Sequence, residues 1–140
     1  MCATPSLLNV EARPRIRWNW RPLDTTTLDC VFEAQNTVVL KDGKLRTDNS
    51  PEKPLYSTIT GLNAKDGRAM MVGNAGSTPL IFRGDNTHWV FIELTEVGNP
   101  MVTSMTVPSA SGETQAVHSR DARIFGAGVI SQWAGTCKVR

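Results

Sequence analysis

Short apolar segments alternate with polar or glycine-containing turns along most of this chain, and this alternation restricts its fold more than any other feature. Two Asp-Gly turns, at residues 41–44 and 64–68, and two further turns, at 73–76 and 83–86, recur at the spacing of successive β-hairpins. No segment sustains a helical period of apolar residues, and the short segments between turns leave no room for crossover helices. The sequence therefore predicts an all-β antiparallel meander of about eight strands.

Closure of the meander follows from its two edges. An open sheet would expose unpaired backbone groups at both edge strands and would leave its inner face uncovered. A flattened barrel and a two-layer sandwich both solve this problem, and the sequence leaves both open. A length of 140 residues suits one domain, which we predict over residues 1–140, with an extended N-terminal arm at residues 1–14.

Residues 87–107 form the clearest hairpin in the chain. Two segments rich in β-branched, aromatic and Met residues flank the turn at Gly98-Asn99. Large apolar side chains stand in both segments, and they are candidates to line a barrel mouth that carries a small apolar ligand. These candidates are Trp89, Phe91, Met101 and Met105.

The remaining strands follow from shorter patterns. Residues 28–34 are strand-like, and we expect 37–40 to continue in the same way. Residues 46–54 are polar and contain two prolines, so we expect a surface loop there. Near the C-terminus, we expect Gly126 and Gly128 to break the chain before a strand at 129–133, and Gly135 to separate it from 136–139.

The segment at residues 15–20 alternates between two faces. Ile16, Trp18 and Trp20 share one face, and basic residues share the other, as in a half-buried strand. An alternative is a basic aromatic surface for single-stranded nucleic acid, with bases stacking on the indoles. The formal net charge of +2 is small, so the composition does not favour a nucleic-acid partner.

The three cysteines are Cys2, Cys30 and Cys137. They are too far apart in sequence, and the two histidines too few, to give the ligand spacing of a zinc site, so we expect no metal and no cofactor. Closing the meander would bring its first and last strands together, and with them Cys30 and Cys137. A disulfide between these two and a pair of buried thiols both stay open, depending on the compartment.

Residues 118–121, His-Ser-Arg-Asp, form the densest polar run. Adjacent residues of a strand point to opposite faces, so His118 and Ser119 do not form a base and nucleophile pair. His118 and Arg120 share a face and are candidate ligand-binding residues. An enzyme using them, with Asp121 and a contribution from His88, is an alternative, although the pattern favours a protein without catalytic activity.

No apolar run approaches the ~18 residues of a membrane span. Residues 1–10 also lack the apolar core of a signal peptide. We therefore expect a cytoplasmic protein if the sequence is complete, and a periplasmic or exported one if a signal segment was removed.

Two C-terminal segments carry a resemblance to a protein group. Residues 116–120 (Ala-Val-His-Ser-Arg) and 131–137 (Ser-Gln-Trp-Ala-Gly-Thr-Cys) resemble the tail of small uncharacterised bacterial all-β proteins, and residues 28–32 and 91–105 are similar to the same group. The group usually has an aromatic pair before the final Gly, where this chain has Trp133-Ala134. The resemblance implies an all-β fold and often export, and it implies no activity.

Three functional hypotheses result. The first is a non-enzymatic all-β binding module, acting through a protein partner or self-association. The second is the carrier of a small apolar ligand in a barrel mouth. The third is the enzyme that uses His118 and Arg120. A filled interior would count against the carrier, and a hollow one would favour it.

Overall fold

Antiparallel strands make up nearly all of the chain that the structure, a computed structural model, describes. The described residues are 26–48, 53–73, 76–96, 98–108, 112–124 and 127–140. Within them the strands are β1 (Leu28–Lys41), β2 (Lys44–Asp48), β3 (Leu55–Asn63), β4 (Arg68–Gly73), β5 (Gly76–Gly84), β6 (His88–Leu94), β7 (Pro100–Thr106), β8 (Glu113–Ile124) and β9 (Ala127–Val139). The predicted arm at 1–14 and the predicted strand at 15–20, with its nucleic-acid alternative, lie outside the described residues.

The strands form one sheet that closes on itself. Each strand from β3 to β9 pairs antiparallel with the next, and β1 pairs with both β3 and β9. The ring β1-β3-β4-β5-β6-β7-β8-β9 is therefore an eight-stranded barrel, with β2 as an additional strand beside β1. This confirms the predicted antiparallel meander and decides between its two forms in favour of the barrel.

Part of the sheet continues beyond one end of the barrel. The first half of β1 pairs with β3, whereas residues 37–41 pair with β2 on one side and residues 37–40 pair with β9 on the other. Residues 121–124 of β8 likewise pair with β9 beyond the last residue that β7 reaches. These segments form a four-stranded extension in the order β2-β1-β9-β8, which we call the projecting sheet.

Two sequence predictions about this region are wrong. The polar loop expected at 46–54 begins as β2, which runs to Asp48 and is exposed along its whole length. The break expected at Gly128 does not occur, because β9 is continuous from Ala127 to Val139 and joins the two segments expected on either side of Gly135. Gly126, where a break was also expected, lies outside the described residues. Backbone pairing with β1 holds both segments in the sheet although neither shows a strong apolar alternation.

A β-bulge in β1 explains the glycine in the middle of β9. Phe32 pairs with Gly135 and Ala34 pairs with Ala134, so Glu33 is an extra residue in β1. A Cβ atom on Gly135 would lie 1.9 Å from the carbonyl oxygen of Val31 and 2.6 Å from the Cα of Phe32. Glycine is required here because the two backbones approach too closely for any side chain.

The inward-facing side chains form a filled core over most of the barrel. Its large, fully buried members include Leu28, Phe32, Ile59, Phe82 and Phe91. The rings of Phe82 and Phe91 stack at 4.8 Å between centroids. Alternation along each strand sends the intervening side chains outward, as the two-residue period of a strand requires.

The first and last strands of the barrel are joined covalently. Cys30 and Cys137 are paired residues of β1 and β9, their Cα atoms are 4.0 Å apart, and their sulfur atoms form a disulfide. Just outside the barrel, the guanidinium of Arg140 donates to both carboxylate oxygens of Asp29, at 2.9 and 2.7 Å. The predicted meeting of the first and last strands is thus confirmed.

The turns follow the chemistry that the sequence predicts. Asp42 and Gly43, between β1 and β2, have φ angles of 51° and 71°, in the left-handed region that a tight Asp-Gly hairpin needs. Between β5 and β6, Asp85 accepts hydrogen bonds from the Thr87 hydroxyl and from the backbone N–H groups of Thr87 and His88. These bonds lower the pKa of Asp85 to about 2, and the bond from the Thr87 hydroxyl has the largest effect.

The structure contains no helix, in the ranges it describes, that is long and apolar enough to cross a membrane.

Candidate functional site

A cavity of about 280 Å³ opens at the end of the barrel from which the projecting sheet extends. Neighbouring strands supply its wall, which includes Leu55, Ser57, Met71, Glu93, Met101, His118 and Arg120. The barrel is therefore solid over most of its length and hollow at one end. We call this space the mouth cavity.

Strand register arranges the inward-facing side chains in two rows across five strands. The mouth row, at the rim, consists of Thr37, Ser131, Arg120, Met101 and Glu93. The floor row, one layer deeper, consists of Gln35, Trp133, His118, Thr103 and Phe91. Residues that are far apart in sequence meet in these rows because antiparallel pairing places them directly opposite each other.

His118, in the floor row, is 3% exposed and is held from several sides. Its Nδ1 lies 2.9 Å from the hydroxyl of Thr103. The rings of Phe32 and Trp133 each lie 5.6 Å from its ring centre. Burial, followed by the charge of Arg120, lowers the pKa of His118 to about 4, so the ring is neutral at pH 7. Its Nε2 has no hydrogen-bond partner.

Arg120 lies above His118 in the mouth row, with its guanidinium carbon 5.3 Å from the centre of the Trp133 ring. This cation–π contact holds the guanidinium over the ring without neutralising its charge. Within the described part of the chain, no carboxylate lies within salt-bridge distance of Arg120. Its Nε is buried and has no hydrogen-bond partner. The mouth cavity is therefore bordered by an uncompensated positive charge.

Two further polar atoms near the mouth lack partners. The hydroxyl of Ser57 lines the cavity and is buried without a hydrogen bond. Gln35 donates through its Nε2 to the Thr37 hydroxyl at 2.9 Å, but its buried Oε1 has no partner. Together with His118 Nε2 and Arg120 Nε, these are the four buried side-chain atoms without a partner in the described ranges. All four belong to the two rows or to the cavity wall.

The remaining wall is of two kinds. Leu55, Met71 and Met101 supply apolar surface, and the two methionines are unbranched and adaptable. Glu93 supplies a carboxylate at the β6 end of the mouth row, two strands from Arg120 on β8, with Met101 between them. The cavity thus offers one positive group, one negative group and an apolar surface.

The residues of the enzyme hypothesis do not converge on one cleft. His88 is exposed at the opposite end of the barrel, where β6 begins. Asp121 and Ser119 pair with Ile130 and Gln132, and lie on the outer face of β8. His118 and Arg120 share the inner face, as predicted, but within the described residues His118 is hydrogen-bonded through its side chain to the buried Thr103 hydroxyl and to no carboxylate. This geometry gives no base that is oriented by an acid.

The structure separates the six predicted ligand-binding residues. Met101, His118 and Arg120 line the mouth cavity. Phe91 is buried in the floor row, and Met105 is buried in the core, at 1% and 3% exposure. Trp89 packs edge-on against Phe82 near the far end of the barrel and does not line the cavity.

Sequence reasoning did not identify Gln35, Ser57, Glu93, Leu55 and Met71 as site residues. Four different strands carry them, and the bulge at Glu33 determines which residues of β1 face inward. One signal in the sequence could have identified such a residue. Ser57 is a polar residue at an inward position of β3, between the apolar inward residues Leu55 and Ile59.

A second concave surface lies outside the barrel. A groove of about 530 Å³ runs over β4, β5 and β6. Its outward-facing residues include Met70, Ile81 and Leu94, which are 36%, 40% and 60% exposed. We call this surface the outer groove.

No group of three or more metal-ligating side chains occurs among the described residues. No protein-family model matches the chain. A search of curated proteins also finds no match.

Proposed function

We propose that this protein is a non-enzymatic binding protein that holds a small ligand in the mouth cavity. The observation that carries the proposal is that three buried, unpartnered polar atoms, Ser57 Oγ, His118 Nε2 and Arg120 Nε, belong to residues that line one cavity. Each such atom costs roughly 1–3 kcal/mol when it is left unsatisfied, and native proteins keep few of them. A ligand that hydrogen-bonds to some of these atoms would remove that cost.

The charges indicate which group the ligand presents. Arg120 is cationic and has no anionic partner in the described chain, while His118 is neutral at pH 7. With Thr103 donating its hydroxyl proton to Nδ1, His118 carries its own proton on Nε2 and becomes a second donor. Two donors on one side of a cavity suit a carboxylate or a similar acceptor group.

The volume and the wall indicate the rest of the ligand. About 280 Å³ is at the small end of ligand pockets in proteins. His118 Nε2 and Arg120 Nε lie beneath the cavity surface, so an incoming group must displace a neighbouring side chain. Met71 and Met101 are suited to this because flexible thioether side chains repack easily.

Amide NMR titration with small carboxylic acids tests this function. We expect shifts to concentrate at the mouth, on the residues of β3, β4, β6, β7 and β8 that line the cavity, and Arg120→Gln to weaken binding about tenfold or more. Arg68→Gln removes the same charge from the outer surface and should leave the affinity unchanged. Shifts that concentrate on the outer groove, or equal effects of the two variants, would contradict the proposal.

A second candidate is self-association through the outer groove, which belongs to the first hypothesis drawn from the sequence. Its support is the exposed apolar surface of Met70, Ile81 and Leu94. A stable dimer would have to bury roughly 1,200 Å² or more in total. Sedimentation analysis across a range of concentrations tests it, with Ile81→Glu expected to abolish any dimer. A monomer at every concentration would exclude this candidate.

We also infer that the protein folds in an oxidising compartment. The disulfide between Cys30 and Cys137 supports export, because such bonds persist mainly in exported proteins. The resemblance to small bacterial all-β proteins stays a prediction.

A further inference from the structure

We infer that the ligand of the mouth cavity is a small zwitterion with an apolar body, in the form of an apolar α-amino acid. This inference rests on the proposed function and specifies the ligand class. It starts from the two opposite charges, Arg120 and Glu93, that border the same cavity.

The two charges face one space without meeting. Arg120 pairs with Met101, and Met101 pairs with Glu93, so the backbones of the two charged residues lie two strand spacings apart, or about 10 Å. The Met101 side chain stands between them on the inner face. No ion pair joins them, and within the described chain neither forms a hydrogen bond through its side chain.

Each charge is therefore available to a ligand. Once a neighbouring methionine has moved aside, a carboxylate placed beside Arg120 can also reach the buried Nε2 of His118, which has no partner. An ammonium group placed toward Glu93 would form an ion pair with its carboxylate. A simple carboxylic acid has no group that makes this interaction. Leu55, Met71 and Met101 then provide the surface for an apolar side chain.

Calorimetry with three probes of matched carbon skeleton tests the ligand class. The probes are L-leucine, 4-methylpentanoate, which lacks the ammonium group, and L-leucinamide, which lacks the carboxylate. We expect L-leucine to bind about tenfold more tightly than 4-methylpentanoate, and L-leucinamide to bind more weakly than both.

Glu93→Gln separates the inference from the proposed function. This near-isosteric variant should lower the affinity for L-leucine to that for 4-methylpentanoate, while the affinity for 4-methylpentanoate stays the same or rises. Glu96→Gln, in the exposed turn after β6, is the matched control and should change neither affinity. Thermal unfolding of both variants checks that they are folded.

Two results would overturn the inference in different ways. Equal affinities for L-leucine and 4-methylpentanoate, unchanged in Glu93→Gln, would remove the zwitterion and leave the proposed function standing. Failure of all three probes to bind at millimolar concentration would overturn the inference. The proposed function would be contradicted as well only if, in the NMR titration, no carboxylic acid shifted the amide signals of residues at the mouth.

Discussion

His118 and Arg120 stand two residues apart on one face of β8, and at pH 7 the imidazole is neutral whereas the guanidinium is positively charged. Arg120 keeps its charge at the rim, above the face of Trp133. His118, one layer deeper among aromatic rings, loses the ability to hold a proton near neutral pH. A buried imidazole of this kind links the stability of the barrel to pH.

Lowering the pH should destabilise the fold through His118. The pKa falls from 6.5 in the unfolded chain to about 4 in the barrel, so below pH 6.5 the unfolded chain binds a proton that the barrel does not. The free energy of unfolding should therefore fall by about 2 kcal/mol between pH 7 and pH 5. Urea denaturation at the two pH values measures this loss.

The pH effect has matched controls. His118→Gln should remove most of the loss between pH 7 and pH 5, whereas His88→Gln, at an exposed histidine, should retain it. The lowered pKa of Asp85 affects stability only at lower pH. This pKa is 3.8 in the unfolded chain and about 2 in the barrel, so its contribution to stability is lost as the pH falls through that range. An undiminished loss in His118→Gln would contradict the assignment.

Among the elements, β1 and β9 determine the geometry of the mouth, because the bulge between them sets which side chains point inward. Beyond Glu33 the inward positions change from even to odd numbers, and Gln35 and Thr37 enter the two rows. Gly135 lies opposite the bulge, where the two backbones approach closely.

Gly135→Ala should destabilise the barrel strongly. The new methyl group would overlap backbone atoms of Val31 and Phe32, which cannot move without breaking the pairing of β1 with β9. We expect a loss of about 1–3 kcal/mol or more in the free energy of unfolding. Gly128→Ala, on the same strand, should be almost neutral, since the nearest atom to its Cβ is the Leu40 Cβ at 3.8 Å. Chemical denaturation compares the two.

The elements also show what the sequence could and could not predict. The Asp-Gly turns were predictable because few residues tolerate the left-handed backbone that Asp42 and Gly43 adopt. β2 was not predictable, because a strand with all five side chains exposed shows no apolar alternation.

At the site, alternation within β8 placed His118 and Arg120 on one face. Their neighbours Gln35 and Glu93 depend on register, which pairing across five strands and a bulge determines.

For the whole molecule, closure depends on one pairing between distant parts of the chain. β1 and β9 meet across a sequence separation of 107 residues, and the disulfide fixes that meeting. In the chain-entropy model a loop of this length adds about 4–5 kcal/mol of stability.

Removing the disulfide should lower the free energy of unfolding by about 4–5 kcal/mol while the barrel topology is retained. The variant Cys30→Ala/Cys137→Ala, compared with the oxidised protein in urea, measures this loss. Alkylation without reductant followed by mass spectrometry should leave Cys30 and Cys137 unlabelled in the oxidised protein. Labelling of both would show that the bond is absent.

The disulfide also keeps the molecule in one piece when its backbone is cut within the closed loop. Residues 30 to 137 form a covalent circle, and every hairpin turn that connects the described strands lies within it. A protease that cuts one of these turns opens the circle but releases no fragment. The barrel could therefore have new termini at any of its loops while remaining a single molecule, and reduction would be the step that separates the pieces.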